Sequence, residues 1–322
     1  MRIINEKIIS QIPVEKIIDS MEQAFLVQHQ GAFDQPDRIQ MPHGDDVFLL
    51  MPCFSGNYFS TKLVTVYPHN AQYKKPATMA CLVLNDMRTG EAKALLNGTY
   101  LTGVRTGALG GLSSKYLAAE DATSVGVVGA GMQGMFQVLA ASAVRPIRDV
   151  WVYDAFPATL NSYADRIHAK RPDLNVHLAS SGAEAAAHGD IVITCSTTKE
   201  PVFPDDPALF AGKHVVAIGS YQPHTRELPR AATERAEGIW LDTMFAAEES
   251  GDLAIPLAEG WLKRESLQPF CDIVAAGVDA AAPWRSRQTL FKSVGIGLFD
   301  LVAAEMIYEL AEEQDLGLTI DL

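Results

Sequence analysis

The stretch Val125–Val138, VGVVGAGMQGMFQV, decides the fold of this chain. An apolar run, Val125–Val128, meets Gly129-Ala130-Gly131-Met132-Gln133-Gly134 and passes into the helix-like pattern Met135, Phe136, Val138, Leu139. Strand, tight glycine turn and helix start, in that order, form the arrangement that binds a dinucleotide pyrophosphate. Gly129 supplies a backbone angle that a Cβ would forbid, Gly131 lets phosphates approach the main chain, and Gly134 lets the helix pack closely on the strand. The helix start, with Met132 and Gln133, offers free N–H donors and a partial positive charge. A bare GxGxxG is weak, because glycine-rich turns are common. A second signal supports it: the next apolar run, Val150–Tyr153, ends in Asp154, at the distance where a carboxylate meets the adenosine ribose. Ala155–Ala158 adds no lysine or arginine to receive a 2′-phosphate, so NAD is the expected cofactor, with NADH preferred over NADPH.

Outward from that turn, strand alternates with helix, as a parallel doubly wound sheet requires. Strands are expected at Ser124–Val128, Val150–Tyr153, Asn175–Leu178, Asp190–Cys195, His214–Gly219 and Gly238–Leu241, with helices such as Ala158–Lys170 and Ala183–His188 between them. The part before the turn reads differently. Pro13 opens a helix whose apolar residues Val14, Ile17, Ile18, Met21, Phe25 and Leu26 recur at helical spacing, and Gly31 closes it. A polar loop carrying Arg38 and Met41-Pro42 follows. Val47–Phe54 and Thr61–Tyr67 read as strands, and Met79–Asp86 with Glu91–Leu96 as a hairpin. Thr99–Ala118 reads as a helix leading to a junction near Glu120-Asp121. The last long helix, about Leu290–Gln314, is opened by Lys292-Ser293-Val294-Gly295, and nothing after it restores a strand. It is expected to leave the nucleotide domain and pack back on the first one. The expected fold is therefore α/β: a Rossmann-type doubly wound dinucleotide domain, 120–296, plus a discontinuous α+β substrate-binding and dimerisation domain, 1–119 together with 297–322.

Composition narrows the function. The 322 residues are 48% hydrophobic and 20% charged, as in a soluble globular protein. A net charge of −13 leaves no basic stripe for phosphates, which argues against nucleic acid. Cys53, Cys81, Cys195 and Cys271 are scattered without CxxC, and the histidines show no ligand spacing, so no metal site is indicated. The thiols read as free in a reducing cytoplasm. Val125–Val144 is long and uncharged, yet its glycines and Gln133 speak against a membrane span.

Many separate motifs now fall in one order. They include Met51-Pro52, Thr61-Lys62-Leu63-Val64, Pro68-His69-Asn70, Leu101-Thr102-Gly103-Val104-Arg105-Thr106-Gly107-Ala108 and Lys115-Tyr116-Leu117-Ala118. The glycine turn, Ile218-Gly219-Ser220, Arg226-Glu227-Leu228, Glu249-Ser250-Gly251-Asp252-Leu253 and Phe291-Lys292-Ser293-Val294-Gly295 complete the set. Over nearly its whole length the chain resembles the ornithine cyclodeaminase and mu-crystallin family. The resemblance implies a dimeric NAD(P)-dependent enzyme on small amino or imino acids, with the strand-rich domain forming the dimer interface and half of the substrate pocket.

Hydride transfer at an α-carbon needs a nicotinamide, a clamp for the substrate carboxylate and a proton donor near nitrogen. Arg105 is the strongest clamp candidate, since guanidinium pairs with carboxylate in two charged hydrogen bonds. Arg38 and Lys62 match the family's other substrate-binding cations. The lesser alternatives are an internal salt bridge for Arg105 and Lys62, and a surface loop charge for Arg38. Thr78 lines the same pocket or is a plain strand threonine. Ser196, Thr197, Gly219, Ser220 and the backbone of Val294 are the remaining cofactor candidates, because loops after strand ends meet the dinucleotide.

Position 221 is a departure. Ornithine cyclodeaminases and the family's alanine dehydrogenases carry an aspartate two residues after the Gly of the Ile-Gly motif, where it engages the substrate amine; here Tyr221 stands there. Oxidising an amine at neutral pH needs a base, and an ordinary tyrosine is a poor one. Reducing a cyclic imine asks less. The Gly-Ser-Tyr pattern is similar to that of pyrroline-2-carboxylate reductases. The expected reaction is therefore NADH-dependent reduction of a small cyclic imino acid, Δ1-pyrroline-2-carboxylate to L-proline or its six-membered analogue, with Lys62, Arg105 and Tyr221 as the catalytic set. Ornithine cyclodeamination, alanine dehydrogenation and a nucleotide-bound protein without turnover stand as alternatives.

Overall fold

Within residues 1–321, which the computed structural model describes, the chain builds two sheets. Their strands are β1 (Arg2–Ile4), β2 (Ile39–His43), β3 (Asp46–Ser55), β4 (Tyr58–Val66), β5 (Thr78–Asp86), β6 (Ala92–Asn97), β7 (Ser124–Val128), β8 (Asp149–Tyr153), β9 (Asn175–Leu178), β10 (Ile191–Thr194), β11 (His214–Ala217), β12 (Gly238–Leu241), β13 (Leu267–Pro269), β14 (Thr289–Lys292) and β15 (Leu318–Thr319). One compact unit comprises Met1–Arg105 and Ile296–Leu322, the other Thr106–Gly295.

The first unit holds the mixed sheet β15-β1-β6-β5-β4-β3-β2, antiparallel except for the β1/β6 pair. Along β4, Ser60, Lys62 and Val64 are buried while their neighbours are not, the period of two that a sheet with one covered face imposes. Helix Val14–Gln30 starts after Pro13 and ends at Gly31, whose φ of 65° is the left-handed conformation that stops a helix. Its buried residues Ile17, Ile18, Met21, Ala24 and Phe25 meet helix Gly297–Glu313, with the Phe25 and Phe299 rings 4.9 Å apart. The C-terminal helix thus belongs to the first unit.

The second unit is a wholly parallel sheet, β13-β12-β14-β11-β10-β7-β8-β9. The chain runs outward through β7, β8 and β9, then returns to place β10 on the other side of β7. That reversal is the switch point at which doubly wound sheets bind nucleotides. β10, β11, β12 and β14 are buried at every residue, as strands covered on both faces must be. Helix Gly98–Leu117 crosses the boundary between the units, so the division falls inside it at 105/106 rather than at 119/120. Its later turns press on helix Met132–Val144: a Cβ on Gly107 would lie 2.7 Å from the Phe136 backbone, and one on Gly111 2.7 Å from Ala140 Cβ. Among the described residues no helix is long and apolar enough to cross a membrane.

Several expectations need correction. Leu290–Lys292 belongs to β14, paired with β11 and β12, and the last helix begins only at Gly297. A short buried apolar run has no period to separate strand from helix, and Gly295 (φ 77°) breaks the chain between them. Lys292–Gly295 accordingly ends a strand and does not open the helix. A strand does follow that helix: β15 pairs with β1, at the register Arg2 to Thr319. The helix expected over Ala158–Lys170 is two short pieces, Pro157–Leu160 and Tyr163–His168, parted by Asn161-Ser162. Residues 39–43, expected as loop, form edge strand β2.

Candidate active site

The glycine turn after β7 has the geometry a diphosphate needs. Gly129 has φ 109°, and a Cβ there would lie 2.6 Å from the Cys195 carbonyl oxygen. A Cβ on Gly134 would lie 2.0 Å from the Gly129 oxygen. Only glycine fits either position. Gly131, the N-cap of helix Met132–Val144, is different: a Cβ there would have nothing within 4 Å. Its main chain borders open space at a helix N-terminus, which is where a dinucleotide's phosphates sit. Asp154 follows β8, with Oδ2 accepting from Ala130 N (2.8 Å) and Oδ1 from Phe156 N (2.8 Å). It braces the turn and keeps lone pairs able to accept further hydrogen bonds. Arg166 Nη2 donates to the Ala130 oxygen at 2.6 Å, and Tyr163 Oη to the Gly134 oxygen at 3.0 Å. The residues fit a bound NAD.

The other cofactor candidates gather at the same edge of the sheet, around a group that was not anticipated. Buried Glu227 accepts from Ser196 N (2.6 Å), Ser196 Oγ (2.7 Å), Thr194 Oγ1 (3.0 Å), Gly219 N (2.6 Å) and Ser220 N (3.1 Å). Its own N–H and that of Leu228 go to Asp252 Oδ1, whose other oxygen holds Lys292 Nζ at 3.1 Å. Burial and the Asp252 charge raise the Glu227 pKa, opposed by Lys292 and the Ser196 donors. The Ser196 hydroxyl is thus turned inward, and Ser220 Oγ lies 2.8 Å from Ser250 Oγ; Thr197 is exposed. Val294 N donates to Asp242 Oδ2 (3.0 Å), as does Ser293 Oγ (2.7 Å), so the loop after β14 is tied to the end of β12. Tyr221 follows Ser220 and is 44% exposed.

In the first unit, two of the predicted cations meet on one carboxylate. Lys62 Nζ lies 2.6 Å from Asp300 Oδ2, and Arg105 Nε lies 3.0 Å from Asp300 Oδ1. All three side chains are at most 5% exposed. Burial lowers the Lys62 pKa to about 8, helped by the Arg105 and Arg38 charges and opposed by Asp300. Burial pushes the Asp300 carboxyl up, but the Arg105 and Lys62 charges more than reverse it, leaving it below its ordinary value. Arg38, just ahead of β2, is close enough for its charge to act on Lys62, so all three predicted cations share one field. Thr78 is exposed at the first residue of β5, opposite Val66. Among the described residues, Arg105 makes no further hydrogen bond and Lys62 spends one of its three donors. Asp300 was missed, although a carboxylate between Phe299 and Leu301 in an apolar helix carries the same signal that singled out Lys62.

Comparisons with known proteins place the chain among known relatives. The model of the ornithine cyclodeaminase/mu-crystallin family matches residues 3–315. A Delta(1)-pyrroline-2-carboxylate reductase of Bacillus cereus is 33% identical over 293 residues, covering 89% of each chain. The solved structure of the Thermococcus litoralis Delta(1)-pyrroline-2-carboxylate reductase in complex with NADH and L-proline is similar at a TM-score of 0.91 and 30% identity, over 99% of this chain and 100% of that one. An archaeal alanine dehydrogenase dimer with bound NAD is similar at a TM-score of 0.88 and 25% identity, over 100% of this chain and 99% of that one.

Proposed function

Because the chain belongs to the ornithine cyclodeaminase/mu-crystallin family, we propose that it reduces Δ1-pyrroline-2-carboxylate to L-proline with NADH as the hydride donor. The observation that carries this reading is the buried Lys62–Asp300–Arg105 cluster, which has charged donors left over for one carboxylate. Arg105 presents its free guanidinium N–H groups to the two carboxylate oxygens, a planar match that a lysine cannot make. Lys62 adds a second charged donor, and Arg38 strengthens the field. Holding the carboxylate against this positive charge withdraws electrons from the adjacent imine carbon and favours attack there. A nicotinamide held by the glycine turn and Asp154 would supply the hydride for that carbon, while the ring nitrogen takes a proton from water. No residue has to abstract a proton from an amine, which fits Tyr221 where amine-oxidising relatives carry aspartate. The relatives from Bacillus and Thermococcus, both pyrroline-2-carboxylate reductases, support the choice.

Asp154 at the dinucleotide turn supports NADH over NADPH. A homodimer is part of the proposal: edge strand β2 is exposed throughout, with Ile39 and Met41 bare, and such an edge asks to be covered. The alanine dehydrogenase relative is a dimer. The four free cysteines suit a reducing cytoplasm. The test follows NADH absorbance with the imine, and ammonia release with ornithine. Imine-dependent NADH loss is the expected result; ammonia release from ornithine without it would overturn the assignment.

A further inference from the structure

The fully buried Asp300 touches both cations of the clamp, one with each oxygen, and sits in the first turn of helix Gly297–Glu313, where a negative charge is favoured. That turn is itself fixed. Leu298 N donates to Gln35 Oε1 at 3.0 Å, and a Cβ on Gly297 would lie 3.3 Å from Cys53 Cβ. We infer that Asp300 is a positioning residue: it binds the Lys62 ammonium and the Arg105 guanidinium into one unit whose single surplus positive charge takes one carboxylate. This inference rests on the carboxylate-clamp reading above and extends it to a residue that does not touch substrate.

The physical argument is a charge balance. Two buried cations side by side repel, and desolvation favours loss of the more easily released proton, that of lysine. The groups facing Lys62 are Asp300 from the C-terminal helix, Arg105 from helix Gly98–Leu117 and Arg38 from the segment before β2. Cys53, on β3, faces Asp300 and also feels Asp34; burial and those carboxylates push its thiol up to about 12, so it stays neutral. Asp300 is therefore the group that keeps Lys62 protonated at neutral pH. Without it Lys62 would sit neutral, the clamp would lose a charged donor, and Arg105 would lose the contact that aims it.

The test is Asp300→Asn, with Asp300→Glu beside it. At pH 8 the asparagine variant should raise the KM for the imine roughly tenfold to a hundredfold, the loss of one charged hydrogen bond. As pH falls from 8 toward 6 and Lys62 regains its proton, that loss should shrink. The glutamate variant keeps the charge but moves it by one methylene, so it should lower kcat while its KM varies with pH as in the unaltered protein. NADH affinity, set in the other unit, should stay within about twofold in both. A KM defect in Asp300→Asn that is equal at pH 6 and pH 8 would overturn the inference, because a merely structural role has no reason to be rescued by acid. Titration of the Lys62 side chain by NMR reads the same point without turnover: an unchanged Lys62 pKa in Asp300→Asn also overturns it. If the unaltered protein does not reduce the imine, the functional reading fails while this NMR arm still decides the role of Asp300.

Discussion

Gly131 separates what the fold requires from what the proposed coenzyme site requires. Its backbone, φ −76° and ψ −166°, is extended and open to any residue, and a Cβ there meets nothing within 4 Å. Gly131→Ala should therefore fold as well as the unaltered protein. It should even gain about 0.4–1 kcal/mol, because alanine loses less chain entropy than glycine. The coenzyme is affected otherwise. A phosphate oxygen hydrogen-bonded to the main chain sits about 3 Å from it, whereas a methyl carbon asks for roughly 3.5 Å or more. The diphosphate must retreat and stretch the charged hydrogen bonds at the turn, each worth about 1.5–3 kcal/mol. Losing two such bonds weakens NADH binding by roughly a hundredfold to a few tens of thousandfold. Gly134→Ala is the contrast, since its Cβ would lie 2.0 Å from the Gly129 oxygen and should destabilise the fold itself. Thermal melting and NADH fluorescence titration on both variants distinguish the two effects. Unaltered NADH affinity in Gly131→Ala would refute the placement of the diphosphate at this turn.

Four further outcomes follow from the same geometry. Arg105→Met should lower kcat/KM for the imine by roughly thirtyfold to several thousandfold, with NADH affinity kept; a loss of NADH binding of similar size would move Arg105 out of the carboxylate site. NADH should bind more tightly than NADPH by about tenfold or more, and Arg166→Met, which removes the guanidinium beside Ala130, should widen that ratio; equal affinities in the unaltered protein would contradict the role given to Asp154. Tyr221→Asp, at a half-exposed position, should shift stability by no more than about 0.5 kcal/mol, weaken imine reduction and fail to confer ammonia release from ornithine. Finally, Lys62 is held to about 8, so the imine's affinity should be full below that pH and fall as pH rises through it; a KM flat from pH 6 to pH 10 would exclude a charged Lys62 from the clamp.

The parallel unit was largely legible because most of its strands are short, β-branched or apolar runs set between turn signals, several of them covered on both faces. Ser124–Val128, Asn175–Leu178 and Gly238–Leu241 fall where the sequence places them. β14 did not: Thr289–Lys292 is too short to carry a usable period, and its apolar residues merge with the spacing that continues through Val294, Ile296 and Leu298. The two- and three-residue strands β1, β13 and β15 were illegible on other grounds. Their pairing is dictated by neighbours far along the chain, as when Arg2 lines up with Thr319 and Ala94. The glycine turn was readable because its constraint is local: φ at Gly129 and the approach of Gly134 involve residues a few places apart.

The buried charges show what local reading misses. Lys62 and Arg105 stood out because charge in an apolar setting needs a partner, but the partner, Asp300, is 238 residues from Lys62. The same logic applied to both units would have predicted that acids and bases come in groups, without saying which with which. What the structure adds is the sign of the remainder. In the parallel unit, Glu227 and Asp252 outnumber Lys292, and the surplus is negative. Main-chain N–H groups of Ser196, Gly219, Ser220, Glu227 and Leu228 absorb it, so that network is complete and holds the loops in place. In the mixed-sheet unit, Lys62 and Arg105 outnumber Asp300, and the surplus is positive. No further acceptor among the described residues takes up their spare donors. A buried positive remainder with unspent donors is stable only if an anion completes it, and a substrate carboxylate is the anion the proposed reaction brings.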